Sequence, residues 1–335
     1  MPGYGSGVLE PEVSGIVSAV FGDRSSSQVG AWLDRHLCDH VGTAVEAITF
    51  QAGAVGAVFG LRLVDGNEVV LKAFRPGADF LRLATVVACQ ERLSGSRFGC
   101  AEVVDGPSST EGVVAVVERQ LQCSPAGSPH CPAARRAMAA GLAGQIGLLA
   151  DVDGSALVRN RPAWSNWDRG AWPLPHDPIF DFSVPVRGYE WVDAAADRAA
   201  GVLRDLGGLR PTVGHSDWVW QNVRVHDGHL VAAYDWDSLV FAPESTIVGL
   251  AAGAFTQGSP DAPDAPTADE VLSFVSEYQT ARDRVFDPPE RAAAAAAATW
   301  VRCYNARCQL DNRERRSMDP PTGSFIDQLA VDLRV

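Results

Sequence analysis

The sequence predicts an α+β chain of two lobes, a small antiparallel-sheet lobe over residues 1–120 followed by a mainly helical lobe over residues 121–335. Three observations predict it. A length of 335 residues accommodates two lobes of ordinary size. Composition shifts from strand-prone sequence before Gln122 to alanine- and leucine-rich sequence after it. Between the two lies CSPAGSPHCP, a Pro/Ser/Gly-rich connection.

Taken in order, PEVSGIVSAVF and SQVGAWLDRHLC carry apolar residues at helical intervals, with Ser26 or Ser27 as the N-cap of the second. From Val45 the character changes to AITFQAGAVGAVFGLRLVDGNEVVLKAF, which reads as strands around a glycine-containing loop and then a hairpin at Asp65-Gly66-Asn67. DFLRLATVVACQERLS has no Gly or Pro and a helical period, and EVV and GVVAVVERQL return to strand. Beyond the connection, ARRAMAAGLAGQIGLLADV and VDAAADRAAGVLRDLGGL are helical, as are ADEVLSFVSEYQTARDRV and PERAAAAAAATWVRCYNARCQL, the last with Pro289 in its first turn. PTVGHSDWVWQNVRVHDGHLVAAYDWDSLVF reads as a loop and a hairpin turning at Asp227-Gly228, and residues 260–269 as an acidic loop. Residues 160–191 hold four of the nine tryptophans in a proline-interrupted stretch, which reads as an ordered loop, either a lid or a small local core.

Hydrophobic residues at 46% and charged residues at 21% are globular values that exclude global disorder. A net charge of −13 repels a phosphate backbone and excludes nucleic acid as a partner; it suits cationic ligands or simply solubility. There is no basic start followed by an apolar stretch and no run long enough to span a bilayer, so the expectation is a cytoplasmic protein without membrane contact. The seven cysteines are scattered without metal-ligand spacing and are expected to be reduced. Nothing in the sequence fixes an oligomeric state.

Chemistry concentrates in HSDWVWQN (His215 to Asn222) and, after a short hairpin, YDWD (Tyr234 to Asp237). Phosphoryl transfer needs a carboxylate to orient and deprotonate the attacking hydroxyl, and oxygen ligands for the Mg2+ that bridges nucleotide phosphates. Asp217 suits the first task, Asn222 and Asp235 the second. These motifs resemble those of the aminoglycoside phosphotransferase family, the small-molecule branch of the protein-kinase-like fold, with choline, homoserine and macrolide kinase relatives. The family's loop is usually H-G-D-x-x-x-x-N followed by I-D-W-D. The resemblance implies Asp217 as catalytic base, Asn222 and Asp235 as magnesium ligands, and His215 and Asp237 as supporting residues. Ser216 stands where the family has glycine, and the acidic residue that follows D-W-D in many members is absent or replaced by Glu244.

The kinase-like fold also requires a strand lysine for the phosphates and a helix glutamate to hold it, and Lys72 and Glu91 fit. Lys72 shares a strand face with Val70 and Phe74, where an ammonium wants an anionic partner; an edge-strand lysine and a solvated Glu91 are the plainer readings. Gly53 and Gly56, in the loop before that strand, are candidates to approach phosphate oxygens, or form a simple hairpin loop. The hinge falls at Glu118 to Gln122, whose backbone would meet the purine. Trp164, Trp167, Trp172, Trp218 and Trp220 are the candidate acceptor site, since indoles stack on sugars, bases and cations.

The resulting expectation is a magnesium-dependent phosphotransferase using ATP or GTP on a hydroxyl-bearing small molecule, with an antibiotic as the leading acceptor. Two alternatives stand beside it: a metabolic kinase for an amino alcohol, sugar or homoserine, and a nucleotide-binding pseudokinase without turnover.

Overall fold

Apolar alternation over residues 45–73 folds as three consecutive antiparallel strands, β1 (Val45–Ala52), β2 (Ala57–Leu63) and β3 (Glu68–Ala73). The computed structural model describes residues 15–333 except 54, 124–126, 169–171, 178, 260–262 and 322. The chain divides into two units, Met1–Ser94 with Cys100–Gln122, and Gly95–Gly99 with Cys123–Val335. The first unit ends at Gln122, and the short Gly95–Gly99 segment groups with the second.

In the first unit, helices α1 (Gly15–Phe21) and α2 (Ser26–His40) precede the sheet. The N-cap of α2 is Ser25 rather than Ser26 or Ser27. Ser25 has an extended backbone and its hydroxyl accepts the Gln28 N–H, while the Gln28 side chain accepts the Ser25 N–H at 2.8 Å, a reciprocal capping box. Helix α3 (Phe80–Gly95) leads to β4 (Val103–Thr110) and β5 (Val113–Arg119), and the sheet order is β1-β2-β3-β5-β4. Phe59, Leu61, Leu71, Ala115 and Val117 are fully buried and pack with Trp32, Leu33 and Leu37 of α2. Burial of this face holds the register, because a one-residue slip would turn the set outward.

The second unit is mainly helical: α4 (Pro132–Leu148), α5 (Glu190–Asp205), α6 (Glu244–Ala254), α7 (Ala268–Arg282), α8 (Pro288–Arg316) and α9 (Phe325–Leu333). It also holds two short antiparallel ladders, β6 (Pro211–His215) with β9 (Leu239–Pro243) and β7 (Val223–His226) with β8 (His229–Ala233). Helix α6 is buried throughout. A Cβ on Gly249 or Gly253 would lie 2.2 Å from the Ala294 carbonyl or 2.6 Å from that of Ala298, so glycine on α6 and the alanine run on α8 allow the two backbones close approach. Glu244 begins α6 with its side chain buried, accepting from Tyr278 Oη at 2.8 Å, Arg282 Nε at 3.2 Å and Arg284 Nη1 at 2.9 Å. These bonds bind α6 to α7 and the segment after it, which is the structural use this chain makes of Glu244. Among the described residues no helix is long and apolar enough to cross a membrane, and all seven cysteines are free thiols.

His36 on α2 carries a pH dependence. It is fully buried, 2.8 Å from Thr110 Oγ1 through Nδ1 and 3.3 Å from Ser108 Oγ through Nε2. Burial first, and the neighbouring His40 second, lower its pKa to about 4, against the opposing pull of Asp105 and Asp39. Between pH 6.5 and 4 the unfolded chain takes up a proton there that the folded chain refuses. This group's contribution is therefore complete above pH 6.5 and is lost as pH falls toward 4, with a slope of at most about 1.4 kcal/mol per pH unit. His36→Asn is expected to flatten the stability profile across that window in urea titrations at stepped pH; parallel wild-type and variant profiles would contradict this.

Candidate functional site

The two motif segments are clamped between the two ladders of the second unit. His215, ending β6, pairs with Leu239, beginning β9, and Val223, beginning β7, pairs with Ala233, ending β8. Residues 216–222 and 234–238 therefore both run from one ladder to the other, side by side. Cross-bonds fix them. The Ser216 N–H and hydroxyl both donate to the Ser238 carbonyl, at 3.0 and 2.8 Å, and the Tyr234 N–H donates to the Asn222 carbonyl at 2.9 Å. Ser216, where the resembling family has glycine, keeps an ordinary negative φ and uses its hydroxyl as a tie.

His215 is fully buried and sets the Asp217 backbone. The Asp217 N–H donates to its Nδ1 at 3.2 Å, so the ring proton lies on Nε2, which donates to the Tyr234 carbonyl at 3.0 Å. The ring sits edge-to-face against Trp218 at 5.6 Å and Trp236 at 5.4 Å, and the His215 backbone N–H donates to Gln145 Oε1 at 3.1 Å. Gln145, a buried polar residue of α4, carries no motif in the sequence that would mark it.

The Asn222 amide nitrogen donates to Asp217 Oδ2 at 2.7 Å and to the Asp217 carbonyl at 3.1 Å. With the nitrogen so committed, the side-chain oxygen is the atom the amide offers to a cation. Asp235 follows Tyr234 and adopts a left-handed backbone (φ 63°, ψ 49°), with the Ser238 hydroxyl donating to its Oδ2 at 3.1 Å. A non-glycine residue held in that region is a local strain that tightly bonded sites retain. An amide oxygen and a carboxylate on adjacent segments are hard oxygen donors of the kind magnesium takes, so the residues fit that ion. Asp237 is partly buried in the single 3₁₀ turn that follows.

The first unit holds the nucleotide-side candidates. Lys72 lies on β3 opposite Val58 and Val116 and is partly buried; the fully buried face of β3 is the other one, Val69, Leu71 and Ala73. The loop after β1 folds onto the end of this strand. A Cβ on Gly56 would fall 2.7 Å from the Ala73 carbonyl and 3.9 Å from Lys72 Cγ, and one on Gly53, at φ 131°, 1.9 Å from the Gly56 carbonyl, so both positions demand glycine. Glu91 is exposed on α3. A polar link from α3 to the sheet is Gln90, buried, which donates to Glu118 Oε2 at 2.5 Å and to the Ala101 carbonyl at 3.2 Å. Glu118 pairs with Val70 and Val116 with Lys72, so Glu118 and Lys72 share one sheet face, a relation that only the strand order β3-β5 creates. Beyond the strand, the Gln120 N–H is taken by the Glu68 carbonyl at 3.0 Å.

Of the candidate tryptophans outside the motif segments, Trp164 reaches them through a hydrogen bond, donating to Ser216 Oγ at 3.2 Å. Trp218 and Trp220 are buried beneath the loop, and Trp218 donates to the Met138 carbonyl at 2.9 Å. Trp167 is buried against Trp300, and Trp172 donates to Asp193 Oδ1 at 2.7 Å and packs on Trp300, Phe182 and Tyr304. Their large apolar area goes into local core. His176, Phe180 and Tyr304, which carry no sequence signal, complete the aromatic group around Trp164.

No protein-family model matches the chain, and no curated protein matches it. Its fold, an antiparallel five-stranded sheet followed by a helical part, matches the kinase-like fold of the following solved structures. Spectinomycin phosphotransferase APH(9)-Ia, solved with ADP and spectinomycin, is similar at a TM-score of 0.55 and 13% identity, over 90% of this chain and 98% of that one. Amicoumacin kinase hAmiN, solved with AMP-PNP, Ca2+ and Ami, is similar at 0.55 and 14%, over 86% of each chain. A thermostable mutant of aminoglycoside phosphotransferase APH(4)-Ia in its apo form is similar at 0.52 and 15%, over 84% of this chain and 92% of that one.

His215→Leu is expected to leave the Asp217 N–H and the Tyr234 carbonyl without their buried partner and to lower unfolding free energy by about 2–5 kcal/mol in urea denaturation. Unchanged stability would mean that the histidine does not hold the two segments together.

Proposed function

We propose that the chain is a magnesium-dependent small-molecule kinase that moves the γ-phosphoryl group of ATP or GTP to an acceptor hydroxyl, with an antibiotic as the acceptor. The observation that carries this reading is the 2.7 Å bond from Asn222 to Asp217 together with the Tyr234 N–H on the Asn222 carbonyl. These bonds hold a carboxylate, an amide oxygen and a second carboxylate, that of Asp235, on neighbouring segments. The likeness in fold to phosphotransferases supports the reaction type, and the neighbours named for spectinomycin and amicoumacin support a small-molecule acceptor.

In this reading Asp217 orients the acceptor hydroxyl and receives its proton as the hydroxyl oxygen bonds to the γ-phosphorus and the bridging bond to the nucleoside diphosphate breaks. Asn222 keeps the Asp217 carboxylate in one orientation by occupying Oδ2. Asn222 and Asp235 would hold the magnesium, which when bound offsets negative charge on the phosphates. Lys72 is the cation assigned to the phosphates, with the Gly56 backbone beside it. A soluble, cytoplasmic location goes with a nucleoside triphosphate as donor.

Asp217→Asn is expected to lower acceptor-dependent nucleotide consumption by about 10²–10⁴-fold while nucleotide affinity stays within about threefold. Wild-type turnover in that variant would remove the proposed mechanism. Asp235→Ala is expected to weaken magnesium-nucleotide binding about tenfold or more in titration calorimetry, and undiminished affinity would exclude it as a ligand.

A further inference from the structure

Described residues between Trp164 and Val184 build a surface near Asp217. Trp164, bonded to the Ser216 hydroxyl next to Asp217, meets the His176 ring edge-on at 5.7 Å, and His176 meets Phe180 at 5.3 Å. Tyr304 on α8 fixes His176, with Oη 2.8 Å from Nδ1 and accepting the His176 backbone N–H at 3.3 Å. Burial raises the Tyr304 hydroxyl pKa first, Cys308 adds to the rise, and the Asp217 carboxylate is near enough to push it further, so the group stands within electrostatic reach of Asp217. Trp164, His176 and Phe180 are partly exposed and Tyr304 is buried under them.

One stripe of α8 holds this stretch down. Trp300 Nε1 donates to the Trp164 carbonyl at 2.8 Å, Arg307 Nη2 donates to the carbonyls of Val184 at 2.5 Å and Asp181 at 3.3 Å, and Asp311 accepts the Asp181 N–H at 3.3 Å. Positions 300, 304, 307 and 311 recur at helical spacing, so the aromatic group is a fixed wall.

The carboxylates around that wall are each tied by a donor within the protein. Asp168 pairs with Arg161 at 2.7 Å, Asp177 accepts the Ile179 N–H at 3.0 Å, Asp181 accepts the Ser183 N–H at 3.0 Å and Asp193 accepts the Trp172 indole N–H. The guanidinium groups of Arg161 and Arg307 lie over the Trp167 and Phe182 rings, each at 5.1 Å. An acceptor with several amines would find Asp168 already paired with Arg161 and the other carboxylates committed to the chain's own N–H donors, and would gain less there for the desolvation of its amines.

On the phosphotransfer reading above, we propose that Trp164, His176 and Phe180 select a hydroxylated acceptor that presents one flat face, an aromatic ring, a base or a sugar ring, and carries at most one amine. The rings stack on that face, and His176, positioned by Tyr304, sets its distance from Asp217.

The test compares turnover of flat-faced acceptors with at most one amine (nucleosides and aryl glycosides) with that of acceptors bearing several amines (kanamycin-type aminoglycosides), using the full chain with ATP or GTP and magnesium. Turnover is expected for the first group only, with KM changing less than about twofold between low and physiological salt, since stacking is little screened. Phe180→Ala and His176→Leu are each expected to raise that KM about tenfold with kcat within about threefold. Preference for the polyamines with a KM that climbs with salt, or unchanged KM in both variants, overturns the proposal. Polyamine turnover that still requires Asp217 overturns the acceptor assignment alone and leaves phosphotransfer standing. Absence of Asp217-dependent turnover with either group overturns both.

Discussion

The Asn222 side chain and backbone are the pivot of the candidate centre. Its amide nitrogen gives two hydrogen bonds to Asp217 and its carbonyl receives the Tyr234 N–H, so one residue fixes the orientation of the proposed base and the position of the segment carrying Asp235. A carboxylate held by a charge-assisted bond of this kind keeps one geometry at little entropic cost when an acceptor arrives. Loss of the amide would release Asp217, while the backbone carbonyl would still hold Tyr234.

What holds Asn222 in turn is the pair of ladders and the packing behind them. The β6-β9 and β7-β8 pairs begin and end the two segments at matched positions, and His215 joins them from below through Asp217 and Tyr234. Behind this lies an apolar body in which Gly249 and Gly253 let α6 approach the alanine face of α8. Helix α8 carries the Trp300, Tyr304, Arg307 and Asp311 stripe that anchors the aromatic stretch. The same helix thus backs the core on one side and supports the wall next to Asp217 on another. Rigid support on regular elements is what a positioned site requires.

Local signals made the fold class and the motif segments legible in the sequence. Alternation and the Asp65-Gly66-Asn67 turn gave the β2-β3 hairpin, Asp227-Gly228 gave the β7-β8 hairpin, and long uninterrupted periodicity gave α3, α4, α5, α7 and α8. Long-range pairings were not legible. The β6-β9 ladder joins strands 24 or more residues apart at its closest pair, His215 and Leu239, and the insertion of β5 beside β3 puts Glu118 on the Lys72 face. Helix periodicity also could not say which side of α3 meets the sheet. Gln90 is buried while the adjacent Glu91 is exposed, a difference of one residue and 100° of helix rotation. The tryptophans divided for a similar reason: their residue type marks a need for apolar contact, and whether neighbours or a ligand supply it is decided by tertiary packing. Trp218 and Trp220 found neighbours, and Trp164 kept an exposed part beside Ser216.

The most direct measurement is transfer of label from the γ-position of ATP or GTP to a small-molecule acceptor, read by mass spectrometry in wild type and in Asn222→Ala. The account predicts a labelled acceptor with the wild type and a loss of about a hundredfold or more in its rate of formation with the variant. Equal rates in the two proteins would contradict the claim that Asp217, Asn222 and Asp235 form one phosphoryl-transfer centre.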